Sequence, residues 1–195
     1  YEPGDGRGVR HRNPDLLVQG VLHALQLDGD VTVQEKDESL PLREWLAGEM
    51  GKLGIACGAE NVFIVSGSQQ GLDYLGKLFL SPGDTALVTW PTYLGALQAF
   101  NAYEPAYDQL TLNGNRTPES YRAAAAKTGG RVKFAYLTAE FSNPTGETFD
   151  RAARERAIDL ADDLDIALIE DAAYQSLRYD GESIPPIMAL EIARK

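Results

Sequence analysis

The chain has 195 residues, of which 18 are Lys or Arg and 29 are Asp or Glu, giving a formal net charge of −11. With 44% apolar and 24% charged residues, it has a globular composition, which excludes a collagen, a low-complexity tail or a disordered acidic chain. The acidic balance argues against a nucleic-acid surface or a polybasic membrane patch, and no apolar run is long enough to span a bilayer.

The length suits one domain with a small appendage. The first residues, Tyr1-Glu2-Pro3-Gly4-Asp5, are polar and unlike a secretory signal. Cys57 is the one cysteine, so no internal disulfide can form. That fits a reducing compartment and a cytoplasmic protein.

Residues 1–14 read as an irregular arm. Asn13-Pro14-Asp15 starts a helix whose Leu16, Leu17, Val21, Leu22 and Leu25 recur at helical spacing. Residues 28–39 read as a solvated loop around Glu35-Lys36-Asp37-Glu38. A second helix is predicted from Pro41 to about Leu53. Val62-Phe63-Ile64-Val65 has the pattern of a short buried strand, followed by Ser66-Gly67-Ser68 and a helix from Gln69 to about Leu80.

Beyond it the rhythm repeats. Strands are predicted at 85–89, 106–107, 132–138 and 166–169. Helices are predicted from near Tyr93, from Thr117-Pro118 to Lys127, from Thr148 or Asp150 to Leu164, and over 188–194. Strand and helix alternate from about residue 61. The expected fold is α/β, a mostly parallel sheet with helices on both faces. In such sheets ligands sit at the carboxyl ends of the strands.

Four expected strand ends carry polar signatures. Ser66-Gly67-Ser68-Gln69-Gln70 offers a tight turn and free N–H groups at a helix start, suited to an anion; Ser68 as a simple N-cap is the bland alternative. Trp90-Pro91-Thr92-Tyr93 offers an aromatic ring for stacking or for the core. Asn143-Pro144-Thr145-Gly146 is a turn whose Asn143 amide could donate to a ligand oxygen. Glu170-Asp171-Ala172-Ala173-Tyr174 places carboxylates at the end of a buried strand, where they need a cationic partner. A protonated ring nitrogen or a nearby Arg would serve.

In this order and spacing, the Ser-Gly-Ser-Gln-Gln, Pro-Thr-Tyr, Asn-Pro-Thr-Gly and Asp-x-x-Tyr motifs resemble the fold-type I, class I/II aminotransferases that use pyridoxal 5′-phosphate (PLP). The similarity extends over residues 14–187 and is nearest to the 2-aminoadipate and aromatic aminotransferase group. Leu40-Pro41-Leu42-Arg43-Glu44 is similar to the family's helix before the large domain. The resemblance implies an arm and helices in 1–55, belonging to the small domain or linker, and a PLP-binding large domain in 56–195, incomplete at its C-terminal end. It implies that Ser68 and Gln69 hold the cofactor phosphate and that Tyr93 stacks on the ring. Asn143 and Tyr174 would reach the phenolic oxygen, and Asp171 would pair with the pyridine nitrogen. The implied partners are amino-acid and 2-oxo-acid substrates, 2-oxoglutarate above all, with a homodimer in the complete protein and no role for nucleic acid or membrane.

The family's Schiff-base lysine follows one more strand after Asp-x-x-Tyr, so it is expected beyond Lys195. Lys77, Lys133 and Lys195 stand in the wrong contexts. The family's substrate-carboxylate arginine belongs to the same absent part, and a large exposed apolar face is expected in consequence. Two departures concern contacts and specificity. The Gln26-to-Val33 region lacks the Tyr that many relatives send to a neighbouring subunit's cofactor, and Trp90 stands where an acidic residue is common. His11 and His23 have no partner motif, and neither metal-ligand spacing nor a Gly-x-Gly-x-x-Gly signature is present. The alternatives are a β-lyase or oxidase on the same fold, or an effector-sensing domain of a transcription regulator.

Overall fold

A computed structural model describes residues 39–114 and 116–195. The predicted arm, the helix from Asn13, the charged loop around Glu35, His11, His23 and the Gln26–Val33 region lie outside the described residues.

Among the described residues, six α-helices and four strands follow in order. They are α1 (Leu40–Lys52), α2 (Ser68–Phe79), β1 (Thr85–Val88), α3 (Leu94–Asn101), β2 (Ala106–Gln109), α4 (Pro118–Ala126), β3 (Val132–Leu137), α5 (Arg151–Leu164), β4 (Ala167–Glu170) and α6 (Ile187–Ile192). The helix starts follow from local chemistry. Thr117 caps α4 by accepting from the Ser120 N–H, with Pro118 in the first turn. Asp150, rather than Thr148, caps α5 by accepting from the Ala153 N–H at 2.7 Å.

The sheet has the order β2-β1-β3-β4, and all three pairings are parallel. From β1 the chain steps outward to β2, then returns past β1 to β3. The connections leaving β1 and β3 therefore diverge, and their carboxyl ends flank a topological switch point.

Side chains alternate between two cores, as the period of two requires. Ala86, Val88, Phe134, Tyr136 and Ile169 face α2 and α3, against Leu72, Leu75, Ala96 and Phe100. Leu87, Ala135, Leu137 and Leu168 face the other way, against Tyr121 of α4, Ala157 and Ile158 of α5 and Ile187 of α6. The Met50 end of α1 packs with Ile55 on Ala189 of α6.

One predicted strand does not form. Residues 62–65 lie outside regular structure, although Val62 has extended dihedrals. Both sides of β1 are taken by β2 and β3, and among the described residues no strand pairs with this run. Phe63 is 77% exposed and meets the Tyr74 ring of α2 at 6.4 Å instead of entering a core. A four-residue apolar run signals burial but cannot supply the hydrogen-bonding neighbour a strand needs. Other large apolar side chains are also exposed, among them Trp45, Leu78, Trp90 and Leu94.

The apolar stripe of α5 runs through Ala153, Ala157, Ile158, Ala161 and Leu164, and a fully buried arginine, Arg154, interrupts it. Its guanidinium donates to the carbonyls of Phe149, Ala139, Ile184 and Pro185. It also pairs with Glu140 at 3.2 Å and lies 4.0 Å from Glu170. Arg178 approaches Glu140 at 3.4 Å from the other side. One cation thus ties α5 to the segments following β3 and β4. Burial raises the Glu170 carboxyl to about 7, against the opposing pull of Arg154 and of the N–H groups of Ile187 and Met188.

This network makes two measurable demands. Arg154→Leu leaves Glu140 with Arg178 alone and Glu170 with only its backbone donors, and lowers the unfolding free energy by about 3–5 kcal/mol in urea titrations; an unchanged midpoint would contradict the network. For Glu170 the folded pKa lies above the unfolded one, so the native state binds the extra proton. Its contribution to stability is full below about pH 4.5 and is lost as pH rises through about 7. Relative to Glu170→Gln, the wild type is therefore more stable at pH 5 than at pH 8, by about 3 kcal/mol at most.

Candidate functional site

At the switch point, β1 runs into Thr89–Tyr93, β3 into Thr138–Gly146 and β4 into Asp171–Tyr174. Helix α2 begins beside them. Its N-cap is Gly67, with φ 85°, and not Ser68. That left-handed backbone is open to glycine at little cost. The first intrahelical backbone bond is Gly71 N–H to the Gly67 carbonyl, so the N–H groups of Ser68, Gln69 and Gln70 have no intrahelical acceptor. The turn is braced by the Ser66 N–H, which donates to Gln70 Oε1 at 2.7 Å.

Gln69 Nε2 donates to the Gly95 carbonyl at 2.7 Å and joins the start of α2 to the start of α3. Tyr93 is the N-cap residue of α3 and lies half-buried against the α2/α3 core. Its ring covers Gly95 so closely that a Cβ there would sit 2.4 Å from the phenol oxygen. Trp90, next to it in the loop, is 64% exposed.

The loop after β3 is braced on itself. The Ser142 N–H donates to the Glu147 carbonyl, and the Phe149 N–H to the Ala139 carbonyl, both at 2.9 Å. Phe141 has φ 50°, an uncommon conformation for a bulky residue. The Arg178 guanidinium sits 4.9 Å from the centre of its ring. From this loop Asn143 Nδ2 comes within 3.5 Å of Tyr174 Oη, the long limit of a hydrogen bond.

Asp171 extends the β4 ladder by one residue, its N–H donating to the Leu137 carbonyl at 2.9 Å. Its carboxylate accepts at Oδ2 from the Tyr136 phenol at 2.7 Å and at Oδ1 from the Ala173 N–H at 3.3 Å. Tyr136 is fully buried. Its phenol is pushed far above the usual value, first by burial and then by the Asp171 charge, with Tyr93 adding to the effect.

At the carboxyl end of the sheet the sequence-predicted residues fall into small separate groups. Gln69 and Tyr93 meet at Gly95, the Tyr136 phenol holds Asp171, and Asn143 meets Tyr174. Ser68 stands at the helix start. Of the four motif-bearing segments, three follow paired strands. Ser66–Gln70 follows the unpaired 62–65 run.

The lysines weighed in the sequence lie elsewhere. Lys77 is exposed in the last turn of α2. Lys133 pairs with Asp84 near the amino end of β3, about 17 Å of strand from Thr138. Lys195 pairs with Glu191.

Sequence reasoning missed Arg154, Glu140, Arg178 and Tyr136. A charge inside the α5 apolar stripe was a legible signal for Arg154. Tyr136 read as one more apolar strand residue, and nothing local distinguished it. Cys57, whose thiol is raised by burial and by Glu60, shows no link to these groups.

A sequence model of the family "Aminotransferase class I and II" matches residues 37–194. The aromatic-amino-acid aminotransferase 1 of Thermococcus litoralis is 38% identical over 154 residues, covering 77% of this chain and 36% of that protein. The kynurenine aminotransferase of Pyrococcus horikoshii, solved in complex with PMP, is 40% identical with a TM-score of 0.65, covering 77% of this chain and 38% of that one. The α-aminoadipate aminotransferase LysN of Thermus thermophilus, complexed with N-(5′-phosphopyridoxyl)-L-leucine, is 32% identical with a TM-score of 0.65, covering 80% and 38%. The chain spans less than half the length of each. With motifs, parallel sheet and family match in agreement over most of its length, the chain belongs to the class I and II aminotransferases.

Proposed function

We propose that this chain supplies the PLP-binding half of an aminotransferase that moves an amino group from an L-amino acid to a 2-oxo acid, with 2-oxoglutarate as acceptor. The observation that carries the reading is Asp171: a carboxylate held at both oxygens at the end of β4, at the same carboxyl edge of the sheet that the Asn143 loop and the Tyr93 loop leave. The donor chemistry fits the cofactor. A carboxylate suits a protonated pyridine nitrogen, an adjacent amide and phenol suit a phenolate oxygen, and unfilled helix N–H groups suit a phosphate.

When bound, PLP withdraws electrons from the amino acid's α-carbon. The chain's own part is positional. Asp171 keeps a negative charge against the ring nitrogen and thereby holds a proton there. Asn143 and Tyr174 hydrogen-bond the phenolic oxygen. The Ser68 hydroxyl and the N–H groups of Ser68 and Gln69 anchor the phosphate, and Tyr93 packs on the ring face. The two loops that carry Asn143 and Asp171 are tied together behind the site by Arg154. None of Lys77, Lys133 or Lys195 is given the covalent role.

Residues 56–195 act in this reading as the cofactor domain, with 1–55 as arm and linker. The relatives' named activities support an aromatic or aminoadipate-like donor. A homodimer in the cytoplasm is part of the proposal and rests on the family resemblance and the single cysteine. Among the described residues no helix is long and apolar enough to cross a membrane.

The test is PLP titration of the purified full-length protein followed by amino-transfer assays with and without a 2-oxo acid. Saturable one-to-one binding and acceptor-dependent product are expected. Asp171→Ala loses about 10²–10³-fold in kcat, the scale on which a missing electrostatic partner acts. A protein that leaves PLP absorbance unchanged overturns the reading. Keto-acid release without any acceptor would replace it with a lyase.

A further inference from the structure

The pleat of the sheet connects two residues that the motifs do not. Tyr136 is in register with Ile169, so Asp171 lies two residues further along the neighbouring strand and on the same face. Two residues are about 7 Å of strand, a distance a tyrosine side chain spans when it leans along the strand. We propose that Tyr136 is a positioning residue: its phenol O–H fixes the orientation of the Asp171 carboxylate toward the pyridine nitrogen of the cofactor. The inference rests on the role given to Asp171 above and deepens it.

Three observations support it. The donor–acceptor distance of 2.7 Å is that of a well-formed O–H···O⁻ bond. The ring has no freedom to leave. It is fully buried and stands edge-on to Phe100 at 5.7 Å, and Phe100 is itself locked against Phe134 at 5.0 Å. The phenol also stays protonated, because burial and the adjacent carboxylate both raise it. Tyr136 is therefore a fixed, permanent donor to Oδ2. The second support, the Ala173 N–H on Oδ1, is longer at 3.3 Å and belongs to Asp171's own turn. Without the phenol the carboxylate keeps only that weaker tether and can rotate about its own side-chain bonds.

Tyr136→Phe in the full-length protein separates this role from core packing, because the ring remains and only the donor is lost. PLP affinity is expected to fall roughly 10-fold, the lower end of what supporting partners of a bound group contribute. The pH profile of the bound cofactor's absorbance is expected to shift. The melting temperature should fall by no more than about 4 °C. In an Asp171→Asn background the same change should have no further effect on affinity.

Tyr121→Phe is the control. Tyr121 is equally buried, with its hydroxyl satisfied by the Gln109 carbonyl and the Thr111 N–H on the opposite core, and its loss should leave PLP affinity unchanged. If wild type binds PLP and Tyr136→Phe binds it within about two-fold, the positioning role is overturned while the functional reading stands. If wild type binds no PLP, both fall. Should Tyr136→Phe fail to fold, difluorotyrosine at position 136 keeps the ring and alters only the donor strength. An unmoved absorbance profile would then overturn the role.

Discussion

Glu170 and Asp171 are neighbours in the chain and leave β4 on opposite faces of the sheet, because successive side chains of a pleated strand must. One carboxylate is driven under α5, where Arg154 meets it. The other emerges on the α2/α3 face, where the Tyr136 phenol holds it. A one-residue slip in the pairing of β4 with β3 would exchange them. It would bury the acid proposed to serve the cofactor and expose the acid that pairs with Arg154. The register of that pair is thus the constraint on which both the core and the site depend.

Arg154 supports that register from behind. Its donors reach backbone carbonyls on three separate segments and a carboxylate after β3, so the loops that carry Asn143 and Asp171 share one buried cation. A buried charge is costly, and replacing such networks with apolar side chains often stabilises proteins. Here the network joins the two loops that, in the proposed function, must agree in position for Asn143, Tyr174 and Asp171 to act on one cofactor. The unusual backbone at Phe141, clamped by Arg178, belongs to the same arrangement.

Much of this was legible in the residues. Thr117-Pro118 and Asp150 announce helix starts because a side-chain oxygen must satisfy free N–H groups there. The runs at 85–89, 132–138 and 166–169 announce a parallel sheet, being apolar over most of their length as strands covered on both faces must be. The polar motifs at the ends of β1, β3 and β4 announce a ligand site because such sheets leave their strand ends open at the switch point. The run at 62–65 misled for a related reason. Its apolar pattern was real, but a strand exists only with a neighbour, and pattern says nothing about which edge is free.

The sequence by itself determined most of the element order, the α4 cap at Thr117, the alternation of apolar side chains and the four motifs, since each depends on residues within a few positions of one another. The tertiary structure alone decided which contacts those motifs make. Tyr136 and Asp171 are 35 positions apart, Arg154 and Glu140 are 14, and Gln69 and Gly95 are 26. Each pair meets only because parallel strands and their crossover helices bring distant segments to one end of the sheet. A local pattern carries no record of that closure.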